Sequence, residues 1–192
     1  MAPMDGHETV FRVQAAVDKY RLHIDPSHPT RLWEVELPSS VWNDLNPSQA
    51  EEVVLNGESL LVQGIAGTGK TTFLRGIVER LRSLGKRVDV ISKTHVASSR
   101  AGGCTADHYV LRHVKHGICT AYYIWIDEYT QIDCNVWVQL NKLTFTGVRW
   151  LLSGDPHHFP AILSSYRGCP AADDAFQRSA LFHLMSGGIG LL

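Results

Sequence analysis

The chain has 192 residues, 44% of them hydrophobic and 19% charged, with a formal net charge of −1. That length suits one domain plus an extension, and the near-neutral balance excludes a nucleic-acid binder recognisable by charge alone. Cys104, Cys119, Cys134 and Cys169 are widely spaced without a C-x-x-C pair, and the N-terminus has no basic run followed by an apolar one, which argues against a secreted, disulfide-framed protein. No stretch of eighteen apolar residues occurs either, so a soluble intracellular protein is expected.

Residues 1–44 read as an N-terminal extension, with a short helix over Val10 to Leu22, a turn at Asp25-Pro26-Ser27-His28-Pro29 and a strand over Leu32 to Leu37. Nothing in them announces a chemistry. The main domain, residues 45–192, opens with Leu45-Asn46-Pro47-Ser48-Gln49-Ala50-Glu51, where Asn46 or Ser48 can cap a helix that starts at the proline. Gln49 then lies in the first turn, and its amide offers the donor and acceptor that match adenine N7 and the exocyclic amine. Taken alone, the stretch is simply a helix start.

Residues 59 to 72 carry the strongest signal, an apolar run feeding a glycine-rich turn in which Gly64 to Thr71 fits G-x-x-x-x-G-K-S/T, the phosphate-binding loop. Glycines let consecutive N–H groups curl around an anion, and the following helix points its positive end there. Lys70 is placed to reach the β and γ phosphates, and the Thr71 hydroxyl suits a magnesium ion, which prefers hard oxygen ligands. Thr72 to Gly85 follows as an amphipathic helix with Phe73, Leu74, Ile77, Val78, Leu81 and Leu84 inward and Arg75, Glu79, Arg80 and Arg82 outward. A strand over Arg87 to Ser92 completes a βαβ crossover, and hence a parallel sheet.

Ser92 to Ser98 leads from that strand's carboxyl end, where open α/β sheets carry ligands, into a short helix. Gly102 to His108 reads as a solvated loop. His108, His113, His116 and Cys119 recur within twelve residues, but without the close ligand pair of structural zinc sites, so an exposed helix face is the expectation for His113 and His116. Ala121 to Glu128 is an apolar strand ending in two carboxylates, Asp127 and Glu128, which cost desolvation unless a cation is near. Beside a phosphate loop, Asp127 would hold the magnesium and Glu128 would polarise the attacking water. A helix over Glu128 to Leu143 and a strand over Thr146 to Asp155 follow, and Asp155 falls within plausible reach of a γ phosphate. Beyond lie a Gly- and Asp-bearing loop, a helix over Ala175 to Met185 and a glycine-rich end.

In this order the stretches resemble the first RecA-like domain of superfamily 1 helicases, in particular the RecD-like and Pif-type branch. The resemblance rests on Leu45-Asn46 with Gln49 (Q motif), Gly64 to Thr71 (motif I), Thr94-His95-Val96-Ala97 (motif Ia), Thr105 with His108 (similar to the family's T-x-H segment, with two residues between them here), Asp127-Glu128 (motif II), and Gly154-Asp155-Pro156-His157-His158-Phe159-Pro160 (motif III, G-D-x-x-Q-L/F-P). It covers about residues 45 to 162. The resemblance implies a RecA-like P-loop NTPase of α/β class, a central parallel sheet flanked by helices, using ATP and Mg2+. Gly64, Ala66, Gly67, Thr68, Gly69, Lys70, Thr71, Thr72 and Gln49 would bind the nucleotide, and Lys70, Asp127, Glu128, Asp155 and His158 would serve hydrolysis. Thr94, His95, Thr105 and His108 would touch single-stranded nucleic acid, DNA rather than RNA, with weak sequence preference.

His158 departs from the pattern, which has Gln there to couple the γ phosphate to the strand-binding surface. The family also completes its ATP site with arginines of a second RecA-like domain, in cis or in trans, and the chain is expected to be a fragment or degenerate copy of such a motor. Two alternatives share parts of the pattern: the helicase domain of a positive-strand RNA virus replicase, and a nucleotide-binding switch without motor activity.

Overall fold

Apolar runs that bury both faces belong in a parallel sheet covered by helices, and the core strands here are such runs. The structure, a computed structural model, describes residues 10–14, 42–94, 103–157, 164–166, 169–171 and 175–186. β1 (Val10–Gln14), β2 (Trp42–Leu45), β3 (Leu60–Gln63), β4 (Val88–Ser92), β5 (Cys104–Thr105), β6 (Tyr123–Asp127) and β7 (Arg149–Gly154) form one sheet in the order β2-β1-β3-β7-β6-β4-β5. The five strands from β3 to β5 pair in parallel, while β1 joins β3 and β2 antiparallel. The fold is RecA-like α/β.

Alternation along each strand divides the core between the two faces. Leu60, Val62, Val88, Val90, Tyr123, Trp125 and Leu151 face one layer, against Leu74, Ile77, Val78 and Leu81 of the helix that follows the phosphate loop. Leu61, Ile91, Ile124, Ile126, Trp150 and Leu152 face the other, where Trp137, Phe176 and Phe182 pack. α1 (Pro47–Leu55) begins with a full capping box: the Asn46 side chain accepts the Gln49 N–H at 3.0 Å and the Gln49 side chain accepts the Asn46 N–H at 3.0 Å.

Several local expectations change. Val10–Gln14 is a strand rather than the start of a helix, because its hydrogen bonds go to β2 and β3, far away in sequence. α2 (Lys70–Ser83) starts inside the phosphate loop and ends before Leu84, which is 61% exposed rather than inward. Gly85, at φ +76°, takes the left-handed conformation that turns the chain away there. Thr105 is a buried cap, not a solvated residue: its hydroxyl accepts the His108 N–H at 3.4 Å at the start of α3 (Ala106–Tyr109). A π-helical turn, Val110–Val114, holds His113, whereas His116 lies in the exposed turn beyond it.

The helix expected over Glu128 to Leu143 is a 3-10 turn, Tyr129–Gln131, followed by α4 (Cys134–Asn141). Glu128 is left-handed and Ile132 extended, so the helix must restart at Asp133, whose carboxylate accepts the Val136 N–H at 3.1 Å. β7 begins at Arg149 rather than at Thr146, after Gly147 turns at φ +88°. β8 (Ser165–Tyr166) and β9 (Cys169–Pro170) make a small hairpin. The helix expected over Ala175 to Met185 is two, α5 (Ala175–Arg178) and α6 (Ala180–Met185), parted at Ser179. The expected strand over Leu32 to Leu37 and helix over Ser92 to Ser98 lie wholly or mostly outside the described residues. Among the described residues no helix is long and apolar enough to cross a membrane.

Candidate functional site

Parallel strands end on one edge, and their register sets what meets there. Gln63 pairs with Gly154, Asp127 with Ser153, Ser92 with Asp127, and Ser92 with Thr105. The phosphate loop, Asp127-Glu128, Asp155, Thr94 and Thr105 therefore all sit at or just beyond the carboxyl edge of the sheet, where the topology of an open α/β sheet places a ligand.

The loop itself is shaped by Gly67 and Gly69, at φ +86° and +84°, a region costly for residues with a Cβ. A Cβ on either would meet nothing within 4 Å, so the loop opens on its outer side. Ala66 is exposed and Thr68 half-buried, the latter's hydroxyl donating to the Ile65 carbonyl at 2.9 Å. No side chain caps α2 at Gly69, which leaves its first-turn N–H groups to an anion. Lys70 is 6% exposed and donates to the Gly64 and Ile65 carbonyls at 2.7 and 2.9 Å. An ammonium, open amides and a hydroxyl at Thr71 are the donor set that phosphate oxygens need, so the residues fit a nucleotide phosphate. Thr72 is exposed and lines a cleft of about 620 Å³ with Glu51, Phe73 and Arg80, bridged by an Arg80 to Glu51 ion pair at 3.4 Å.

Asp127 is 5% exposed and faces α2's side of the sheet in phase with Trp125. Burial pushes its carboxyl above the usual carboxylate range, against the Ser153 hydroxyl, the Glu128 N–H, the Lys70 charge and the Thr71 hydroxyl, which all pull it down. Those four partners put Lys70 and Thr71 beside Asp127. A buried carboxylate and a hydroxyl next to a phosphate loop are hard oxygen donors, and they fit Mg2+. Ser153 is a positioning group that motif reading missed: it donates to Asp127 Oδ1 at 2.7 Å and accepts the Trp125 indole N–H at 2.8 Å. Its signal was a lone polar residue inside Trp150-Leu151-Leu152-Ser153, at the pleat position opposite Asp127.

Glu128 follows at φ 54°, ψ 52°, the one left-handed residue other than glycine among those described. Such a backbone costs on the order of 1–3 kcal/mol and persists only where its surroundings over-determine it, commonly at functional sites. Asp155 is 8% exposed; its Oδ1 accepts the His157 N–H at 2.9 Å, which fixes the turn after β7.

The remaining candidates are less drawn together. Gln49 is exposed and its amide oxygen serves the capping box, so presenting both donor and acceptor to a base requires it to share or release that bond. Thr94 and His108 are exposed, while Thr105 is turned inward as a cap. Between them Lys93 bonds Asp133 at 3.0 Å and Asp107 at 3.3 Å. Burial lowers the Lys93 pKa and the two carboxylates more than reverse this, leaving it raised. His95 and His158 lie outside the described residues. Among the described residues no three His, Cys, Asp or Glu gather as metal ligands.

A family model described as an AAA domain matches residues 44–166, nearly two thirds of the chain. The chain belongs to that family. It is 37% identical over 79 residues, 40% of its length, to the ATP-dependent DNA helicase PIF3 of Trypanosoma brucei brucei. It is 27% identical over 139 residues, 57% of its length, to the ATP-dependent DNA helicase PIF1 of Candida albicans. These alignments take in 10% and 15% of the relatives' own length. In fold, the AAA domain matches the Pif1 helicase of Candida albicans with a TM-score of 0.56 at 24% identity, covering 75% of this chain and 37% of that one. It matches Bacteroides Pif1 bound to ssDNA with a TM-score of 0.52 at 21% identity, covering 60% of this chain and 32% of that one.

Proposed function

We propose that this AAA domain binds Mg-ATP and hydrolyses it as the first RecA-like domain, residues 45–192, of an ATP-dependent DNA helicase, with residues 1–44 as an N-terminal extension. The observation that carries the reading is the row at the sheet's carboxyl edge, which brings Lys70, Thr71 and the buried Asp127 together at the open phosphate loop. The kinship to ATP-dependent DNA helicases supports it, as does likeness in fold to a Bacteroides Pif1 in complex with ADP-AlF4, at 20% identity and a TM-score of 0.51.

In this reading Gly64, Ala66, Gly67, Thr68 and Gly69 wrap the phosphates with backbone N–H groups, and Lys70 leaves the loop carbonyls for the β and γ phosphates. Thr71 and Asp127 would hold Mg2+, which would supply charge neutralisation at the phosphate oxygens. Glu128 takes the proton of the attacking water, and Asp155 orients groups at the γ phosphate together with His158. Gln49 and Thr72 lie toward the nucleoside. Thr94, His95 and His108 would contact single-stranded DNA and Thr105 would contribute through the cap that holds the His108 turn, with Lys93 held in reserve by its two carboxylates. Arginines of a second RecA-like domain, in cis or in trans, complete the site, a contribution of ~10³–10⁵ in rate for in-trans arginines of this kind.

The test is Mg-ATP hydrolysis by the chain and by Lys70→Ala, with and without single-stranded DNA or RNA. Stimulation by DNA, lost in Lys70→Ala, is the expected result. Turnover that no polymer stimulates would instead indicate a nucleotide switch, and stimulation by RNA alone an RNA helicase. Equal turnover by both proteins would refute the site.

A further inference from the structure

Between the phosphate loop and Glu128 stands a residue to which no role has been given. Tyr129 is fully buried, with its ring between β7 and the aromatic layer: its centroid is 6.0 Å from Phe182, near-parallel, and 6.4 Å from Phe176. On the other side the ring lies so close to Gly154 that a Cβ there would sit 2.8 Å from its Cδ1 and 3.3 Å from the Tyr129 backbone nitrogen. Its phenol oxygen accepts a hydrogen bond from Gln63 Nε2 at 2.7 Å. Gln63 is the last residue of β3, and its neighbour Gly64 both bonds Gly154 through its N–H, at 3.3 Å, and offers the carbonyl that holds Lys70.

The backbone between these anchors is the strained one. Glu128 is left-handed, and the chain leaves it through the 3-10 turn, in which the Gln131 N–H bonds the Glu128 carbonyl at 3.0 Å and the Ile132 N–H bonds that of Tyr129 at 3.3 Å. A residue with a Cβ does not hold that conformation without external support. The next side chain supplies it by fixing itself to two other strands.

We propose that Tyr129 is a positioning residue for hydrolysis: by hydrogen-bonding Gln63 and packing on Gly154 it holds Glu128 in its left-handed turn and ties that turn to the start of the phosphate loop. The inference rests on the reading of the site as an ATPase. It assigns to Tyr129 and Gln63 an effect on the chemical step rather than on nucleotide affinity, because their bond and the packing on Gly154 act on the turn that carries Glu128.

The experiment compares the wild-type chain with Tyr129→Phe, Gln63→Leu and the double variant, measuring Mg-ATP affinity by calorimetry and hydrolysis by steady-state and single-turnover assays. Tyr129→Phe keeps the ring and removes one oxygen, so it preserves the packing on Gly154. Each single substitution is expected to lower kcat about tenfold with KM and Kd within about twofold, since a misplacement of about 1 Å can cost ~10²-fold and losing one hydrogen bond with the ring still packed shifts the turn by less. The double variant should be no worse than either, because both break one bond. Unchanged kcat, losses confined to KM, or losses that multiply in the double variant would each overturn the proposal. Wild-type protein that binds Mg-ATP without hydrolysing it overturns this inference and leaves nucleotide binding standing; wild-type protein that does not bind removes both.

Discussion

Ser153→Ala tests the most consequential contact at the site. The hydroxyl donates to the Asp127 carboxylate at 2.7 Å while accepting the Trp125 indole N–H at 2.8 Å, and Ser153 and Trp125 are buried completely. Donation to a charged group contributes about 1.5–3 kcal/mol, and a buried N–H left without its acceptor costs about 1–3 kcal/mol. The two share one atom and are not additive, so the expected loss is about 2–5 kcal/mol, or about 4–20 °C in Tm for a domain of this size. The loss should also depend on pH. The hydroxyl favours the ionised carboxylate, and without it Asp127 is pushed further above its ordinary range. A folded-state carboxyl pKa above the unfolded value subtracts stability as pH rises through that window, so Ser153→Ala should cost more at about pH 8 than at about pH 4. Urea unfolding followed by tryptophan fluorescence reads both quantities, and Trp125→Phe in the Ser153→Ala background should return part of the loss. A cost under about 0.5 kcal/mol, or one independent of pH, would refute the linkage.

Asp127→Asn removes a buried charge whose folded-state pKa is raised, so it should gain stability at about pH 8, with the gain vanishing below the ordinary carboxylate range, while Mg2+-dependent nucleotide binding is lost; an Asn variant less stable than wild type at neutral pH contradicts this. Gly154→Ala drives a Cβ to 2.8 Å from the Tyr129 ring and should cost about 1–3 kcal/mol in urea unfolding together with hydrolysis, whereas a neutral result would mean the ring is loosely held. At the end of α2, Leu84→Lys should be neutral within about 0.5 kcal/mol and Leu81→Ala should cost about 2–5 kcal/mol, since the first is exposed and the second lies in the core; similar costs would restore the longer helix. Asp107→Asn releases one of the two carboxylates on Lys93 and should tighten binding of single-stranded DNA about two- to fivefold at low salt by fluorescence anisotropy, and unchanged affinity would remove Lys93 from the strand-facing surface.

The parts of the site that could be read in the sequence are those made by local backbone grammar. The phosphate loop is one, because glycines, lysine and threonine at fixed spacing dictate a strand-loop-helix turn by themselves. Asp127-Glu128 is another, since two acids ending an apolar run can only sit at a strand's carboxyl edge. What escaped depends on contacts distant in sequence. Val10–Gln14 looks amphipathic in isolation and is a strand because β2 and β3 flank it. Leu84 continues an apolar period, but the helix ends at Ser83 and the chain turns away at Gly85. Glu128 looks like a helix start and is instead bent left-handed by what surrounds it, so the helix forms only at Asp133. Ser153, Tyr129 and Gln63 carry no motif; their importance arises from register, which sets Ser153 against Asp127, and from packing, which brings the Tyr129 ring onto Gly154.

The central claim is that Gly64 to Thr71 with Asp127 holds a magnesium nucleotide. Titration calorimetry of Mg-ATP into the chain and into Lys70→Ala addresses it without requiring turnover or a second domain. The account predicts a single site in the wild type that weakens at least about tenfold in Lys70→Ala, where the cation at the phosphates is gone. Equal affinity in the two proteins, or no binding by the wild type, would contradict it.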